Sequence, residues 1–103
     1  MANWSMRYSY TKTDVQAHAP LAGGVYRLIN EKENEYYVFY VGQSDNLQRR
    51  LLEHLSDSEQ DPCIKKHLRD YYCYYRFVEV ISSVDRKRIE REQIVKYKPD
   101  CNG

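Results

Sequence analysis

At 103 residues the chain is sized for one domain with a modest core, and its 42% hydrophobic and 30% charged residues are an ordinary globular balance. A net charge of +1 gives no global attraction to nucleic acid, and no stretch is long and apolar enough to span a bilayer. Three cysteines, an odd number without paired spacing, argue against a disulfide framework, and the N-terminus has no signal-peptide pattern, so a reducing intracellular compartment and no membrane partner are expected.

Residues 1–12 have no clear period, and 1–6 read as a loose tail. Thr13 to Ala19 can form one or two helical turns closed by Pro20, and Gly23-Gly24 gives a flexible entry to the next element. Val25 to Ile29 reads as a strand, Glu31 to Glu35 as a charged turn, and Tyr36 to Val41 as a second strand, so the pair is an antiparallel hairpin. Alternation places Tyr26 and Leu28 on one face of the first strand, and Tyr36, Val38 and Tyr40 together on one face of the second. Gly42 breaks the run. A helix from about Asn46 to Leu55 follows, with Ser44, Asp45 and Asn46 as candidate caps and Leu47, Leu51 and Leu55 as its stripe.

Ser56 to Pro62 reads as an acidic loop, Cys63 to Asp70 as a short helix, and Tyr72 to Ile81 as a third strand. That strand alternates Tyr75, Phe77 and Glu79 against Arg76, Val78 and Val80. Ser83 or Asp85 can cap a last helix over about Val84 to Tyr97, which Pro99 stops. The order β-β-α-α-β-α predicts a small α/β (α+β) layer: a three-stranded antiparallel sheet flanked by helices.

Three groups carry chemistry. Arg50 and His54 are four apart and share a helix face at a strand-to-helix corner, an arrangement suited to a phosphodiester. Glu90 lies within the packing stripe Ile89, Gln93, Ile94 and Tyr97. A carboxylate there needs a partner, either a divalent cation or an arginine such as Arg50. Cys63 and His67, with Cys73 or Cys101, have a spacing that could hold zinc, although free half-buried thiols are the favoured reading. Basic residues cluster at 49–50, 65–69 and 86–91; they are solvated faces unless the fold unites them. The 11 tyrosines read mainly as half-buried sheet surface.

From Gly24 to Asn102 the chain resembles the GIY-YIG nuclease family. Gly24-Val25-Tyr26 is similar to the first signature tripeptide and Tyr40-Val41-Gly42 to the second. The family's arginine, ten residues past the second tyrosine, falls on Arg50, and a histidine four further on falls on His54. Glu90, Ile94, Tyr97, Pro99 and Asn102 fit every position of the family's C-terminal pattern. Some members carry lysine where this chain has Gln43.

The resemblance implies an N-terminal extension over 1–22, a nuclease domain over 23–103, and metal-dependent cleavage of phosphodiesters, DNA ahead of RNA, with a protein partner as one source of specificity. Glu90 would hold Mg²⁺ or Mn²⁺. Arg50 would bind the scissile phosphate, and His54 would bind it or relay a proton. Tyr26, ahead of Tyr40, would activate water once the cation and Arg50 lower its pKa. Gln43, Arg49 and Asn102 would contact substrate, Asn102 alternatively pinning the C-terminal turn; Gly24 and Gly42 would allow close backbone approach. The alternative is a non-catalytic or partner-dependent nucleic-acid-binding module on the same fold.

Overall fold

A computed structural model describes residues 3–103, so Met1 and Ala2 of the expected loose tail lie outside the described residues. The elements are β1 (Tyr8–Ser9), α1 (Lys12–His18), β2 (Gly24–Lys32), β3 (Glu35–Ser44), α2 (Leu47–Leu55), α3 (Pro62–Asp70), β4 (Tyr72–Glu79), α4 (Ser83–Tyr97) and a 3₁₀ turn (Asp100–Asn102). The sheet has four strands, ordered β1-β4-β2-β3 and antiparallel throughout, where three were expected. The extra strand is two residues long and exists only by pairing with β4, Tyr8 opposite Tyr75 and Ser9 opposite Tyr74. No helix of the described residues is long and apolar enough to cross a membrane.

The described part of the N-terminus is not loose. The Ser5 N–H donates to Phe77 O at 2.7 Å, and Arg76 Nε donates to Ser5 O at 2.8 Å. Trp4 lies under the Arg27 guanidinium at 3.8 Å, with Tyr97 on the same cation at 4.9 Å and Gln93 Oε1 accepting from its Nε at 2.7 Å. These contacts link two elements across the sheet, so no local period announces them.

The hairpin turn is tighter than the charged stretch suggests. Only Glu33 and Asn34 lie outside the ladder, both with positive φ (53° and 65°), which matches the right-handed twist of the strands they join. Its register shifts between Leu28 and Ile29: Leu28 faces Tyr40 while Ile29 faces Val38, leaving Phe39 as the extra residue. This bulge overturns the expected common face of Tyr36, Val38 and Tyr40. Val38 joins Val25, Val41 and Val78 beneath Ile89 and Ile94 of α4. Phe39 and Tyr40 both pack into the larger core on the opposite face, with Tyr26, Leu28, Leu47, Leu51, Ile64 and Tyr75.

β3 also runs through Gly42 to Ser44 instead of breaking there. Tyr26 pairs with Gly42, and a Cβ at Gly42 would collide with the Tyr26 ring and hydroxyl, so the glycine lets that tyrosine lie across the strand. Helix starts follow short polar side chains: Asn46 Oδ1 accepts from Arg49 N–H at 3.0 Å for α2. For α4 the cap is Ser82, one residue before the expected pair, its hydroxyl accepting from Asp85 N–H at 3.3 Å. Lys98 closes α4 in the left-handed region (φ 47°), its N–H donating to Ile94 O.

The cysteine expectation is overturned in part. Cys63 of α3 and Cys101 of the 3₁₀ turn form a disulfide across a sequence separation of 38, which by loop-closure entropy withdraws about 4 kcal/mol of freedom from the unfolded chain. Cys73 remains a free thiol, pushed up to about 11 by burial.

Candidate active site

Tyr26 projects from β2 beneath α2 and is fully buried. Its hydroxyl meets His54 Nε2 at 2.7 Å, and His54 Nδ1 meets Glu59 Oε2 at 2.6 Å. His54 is 1% exposed, and Glu59, from the loop after α2, is 9% exposed. A carboxylate only accepts hydrogen bonds, so Nδ1–H donates to Glu59, Nε2 carries the lone pair, and the Tyr26 hydroxyl donates to it. Burial holds His54 below its ordinary pKa, opposed by the Glu59 hydrogen bond, so the imidazole is neutral and ready to accept that proton. The other Glu59 oxygen accepts from Asp61 N–H at 2.9 Å, so the loop backbone fixes the carboxylate.

Tyr40 stands beside this chain, its ring centroid 6.2 Å from that of Tyr26 and 5.5 Å from that of His54. Arg50 lies on the same side of α2, one turn before His54. Its Nη1 donates to Glu53 Oε1 at 3.3 Å, and with Glu53, Ser58, Glu59 and Gln60 it lines a cleft of about 260 Å³. Its charge lowers both phenols, but burial outweighs it: Tyr26 is held well above its ordinary pKa, and Tyr40 is also raised. The expected lowering of the tyrosine pKa is therefore not a property of the protein groups alone.

Glu90 comes from α4, on the opposite face of the sheet, yet its charge is felt by both Tyr26 and Tyr40. Burial raises its pKa, and no compensating cation acts on it among the described residues. A half-buried carboxylate without a cationic partner fits a divalent metal ligand, since the ion would supply the missing charge.

Tyr26, Tyr40, Arg50 and His54 are thus brought together, with Glu90 near enough across the sheet for its charge to reach both phenols, while the three expected substrate contacts are turned elsewhere. Gln43 Oε1 accepts from Arg86 Nε at 3.2 Å on the α4 side. Arg49 pairs with Asp45 at 2.8 Å in solvent. Asn102 uses both ends of its amide on one residue of the edge strand, accepting from Val41 N–H and donating to Val41 O, each at 2.8 Å. That is the pinning alternative. Glu59 was missed: in sequence it is one more acid in a polar loop, and no spacing marks it.

Residues 22–102 match the model of the GIY-YIG catalytic domain, and the chain belongs to the GIY-YIG family. It is 29% identical over 100 residues to UvrABC system protein C of Bacteroides fragilis, a match covering 97% of this chain and 16% of that protein. Among solved structures, the N-terminal endonuclease domain of UvrC from Thermotoga maritima, bound to its catalytic divalent cation magnesium, superposes with a TM-score of 0.70 at 21% identity, over 90% of this chain and 100% of that one. A point mutant of the same domain, also bound to its divalent cation, gives 0.67 at 21% identity, over 90% and 99%. The shared fold is the GIY-YIG one.

Proposed function

We propose that this chain is a divalent-metal-dependent endonuclease that hydrolyses a phosphodiester of nucleic acid, DNA ahead of RNA, one strand at a time. The observation that carries the reading is the buried chain Tyr26–His54–Glu59, which shares a cleft with Arg50, while the charge of the partnerless Glu90 carboxylate reaches Tyr26. Packing alone gives no reason to bury a histidine between a phenol and a carboxylate. A group required to take up a proton on demand does.

Glu90 would hold Mg²⁺ or Mn²⁺, which, when bound, supplies charge stabilisation at the phosphate and the leaving oxygen. The remaining roles belong to side chains. The Tyr26 hydroxyl passes its proton to His54 Nε2 as its oxygen takes one from the attacking water. Imidazolium then forms against Glu59, which balances the new charge. The high pKa of Tyr26 makes this relay necessary, because an isolated phenol in this burial would stay protonated at neutral pH. Arg50 binds the scissile phosphate and stabilises the charge developing on its oxygens. Tyr40, less buried than Tyr26, orients the phosphate or the water. A protein partner supplying specificity belongs to the same proposal; the chain spans 16% of the length of the UvrC relative it matches.

The test is nicking of supercoiled plasmid with Mg²⁺ and with Mn²⁺, beside identically purified Glu90→Ala and Arg50→Ala. Metal-dependent nicking by the wild type is expected, lost in Glu90→Ala and reduced about 10²–10³-fold in Arg50→Ala, as when a transition-state charge donor is removed. Equal activity in all three refutes the site. Salt-dependent binding without cleavage in either metal would establish the non-catalytic binding module instead.

A further inference from the structure

We propose that Cys63, His67 and Cys101 form a zinc site in the reduced chain, exclusive of the disulfide that the two cysteines otherwise make. The cluster stands apart from the candidate active site, where α3 meets the C-terminal 3₁₀ turn. One donor atom from each residue lies within 4.8 Å of the other two. The edges of a tetrahedral Cys₂His site are about 3.5–3.8 Å, from metal–ligand lengths of about 2.3 Å to sulfur and 2.0–2.1 Å to nitrogen. Reduction frees the two bonded sulfurs to move apart to that spacing, and rotation of the His67 and cysteine side chains brings the nitrogen in to it. Two thiolates and an imidazole are also the donor set that selects zinc over the hard cations suited to Glu90.

His67 is already oriented as a ligand. Its Nδ1 meets Asn30 Oδ1 at 2.6 Å, while Asn30 Nδ2 is turned to Cys73 Sγ at 3.5 Å. Asn30 is 4% exposed and fixed in β2, so its carbonyl oxygen receives Nδ1–H and leaves Nε2 with the free lone pair. This is the outer hydrogen bond that metal-bound histidines make. The ring is further fixed by stacking on Phe39, 4.6 Å between centroids and 6° between planes. Nε2 faces Asp100 Oδ2 at 3.7 Å, which places a carboxylate for the fourth position. His67 and Asp100 both line a cleft of about 610 Å³ along the β3 edge, so an ion has a path in. Cys73 is not part of the set: its thiol points at the backbone oxygens of His67 and Tyr71.

A dithiol reductant gives two electrons and two protons to the Cys63–Cys101 bond and becomes a disulfide itself. Zinc then displaces both thiol protons to solvent and takes both sulfurs as thiolates. Either link ties α3 to the turn carrying Asn102, whose amide closes the outer edge of β3 at Val41, next to Tyr40. With neither link, that turn is held by its hydrogen bonds and by packing against the core.

The experiment uses the full chain, reduced with a dithiol, freed of reductant under argon and titrated with Zn²⁺, then separately with Co²⁺. One zinc per chain is expected, with thiolate-to-cobalt charge-transfer bands and the visible spectrum of a tetrahedral site. Zinc should lower the alkylatable thiols from three to one in a chain with three cysteines. Cys63→Ser and Cys101→Ser should lose the zinc, and His67→Gln should weaken it at least about tenfold. Cys73→Ser and Glu90→Ala should keep it, which separates this site from the catalytic one. Circular dichroism shows whether each variant is folded. No stoichiometric zinc in the reduced, folded wild type overturns the proposal, as does zinc retained by folded Cys63→Ser or lost from folded Cys73→Ser.

Discussion

Glu59→Gln tests the proton relay most directly, because it keeps the shape of the side chain and removes what the relay uses. In the wild type one oxygen accepts from His54 Nδ1 at 2.6 Å and the other from Asp61 N–H at 2.9 Å. A glutamine has one acceptor oxygen, so it can serve only one of these donors and turns an NH₂ toward the other. It also removes the negative charge that faces the imidazolium formed when Tyr26 gives up its proton. A hydrogen bond to a charged group contributes about 1.5–3 kcal/mol, and each 1.36 kcal/mol is tenfold in rate, so kcat should fall about 10- to 100-fold. KM should barely move, because Glu59 is buried behind His54 and acts as a positioning residue. The pH profile distinguishes this from loss of structure. Cleavage needs neutral His54, so the rate falls on the acid side as that ring protonates. Glu59 raises the His54 pKa against the lowering by burial, so its removal should shift the acid limb to lower pH while the plateau drops. A folded Glu59→Gln with kcat within about twofold of wild type, or with an unmoved acid limb, would refute the relay.

Gly42→Ala should destabilise by about 1–3 kcal/mol in urea unfolding and sharply reduce nicking, because the added methyl collides with Tyr26 and breaks its hydrogen bond to His54. Asn102→Ala leaves both backbone groups of Val41 without their partner, so stability should fall by about 1–3 kcal/mol per group, and hydrogen exchange at the Val41 amide should accelerate. Acid should also weaken the fold through His54. Its folded pKa lies below the unfolded value of about 6.5, so above that pH neither state gains a proton. Below it the unfolded chain binds one that the folded chain refuses. Stability therefore falls as pH drops from about 6.5 to the folded pKa and levels beyond it. Urea midpoints across this window should decline less in His54→Gln; an equal slope in both would show that His54 is not kept neutral by burial.

Local interactions were legible in the sequence. The hairpin, α2 with its leucine stripe, α3, β4 and the two faces of α4 follow from periods of two and 3.6 residues and from short polar caps, all set by neighbours within one or two turns. The same periods put Arg50 beside His54 and Glu90 beside Ile89 and Ile94. Tertiary structure decided whatever depends on residues far apart in the chain. β1 is two residues that no propensity marks; it exists because β4 offers Tyr74 and Tyr75 as partners. The bulge at Phe39 turns Val38 and Tyr40 to opposite faces, since the ladder follows packing on both sides of the sheet, not strict alternation. Cys63 meets Cys101, and Asn30 meets His67, only once α3, β2 and the C-terminal turn are assembled. Glu59 is the sharpest case. As an acid in a charged loop it reads as solvated, and it becomes a buried partner of His54 because folding places a histidine with no other acceptor at that point, where an unpaired N–H would be too costly to bury.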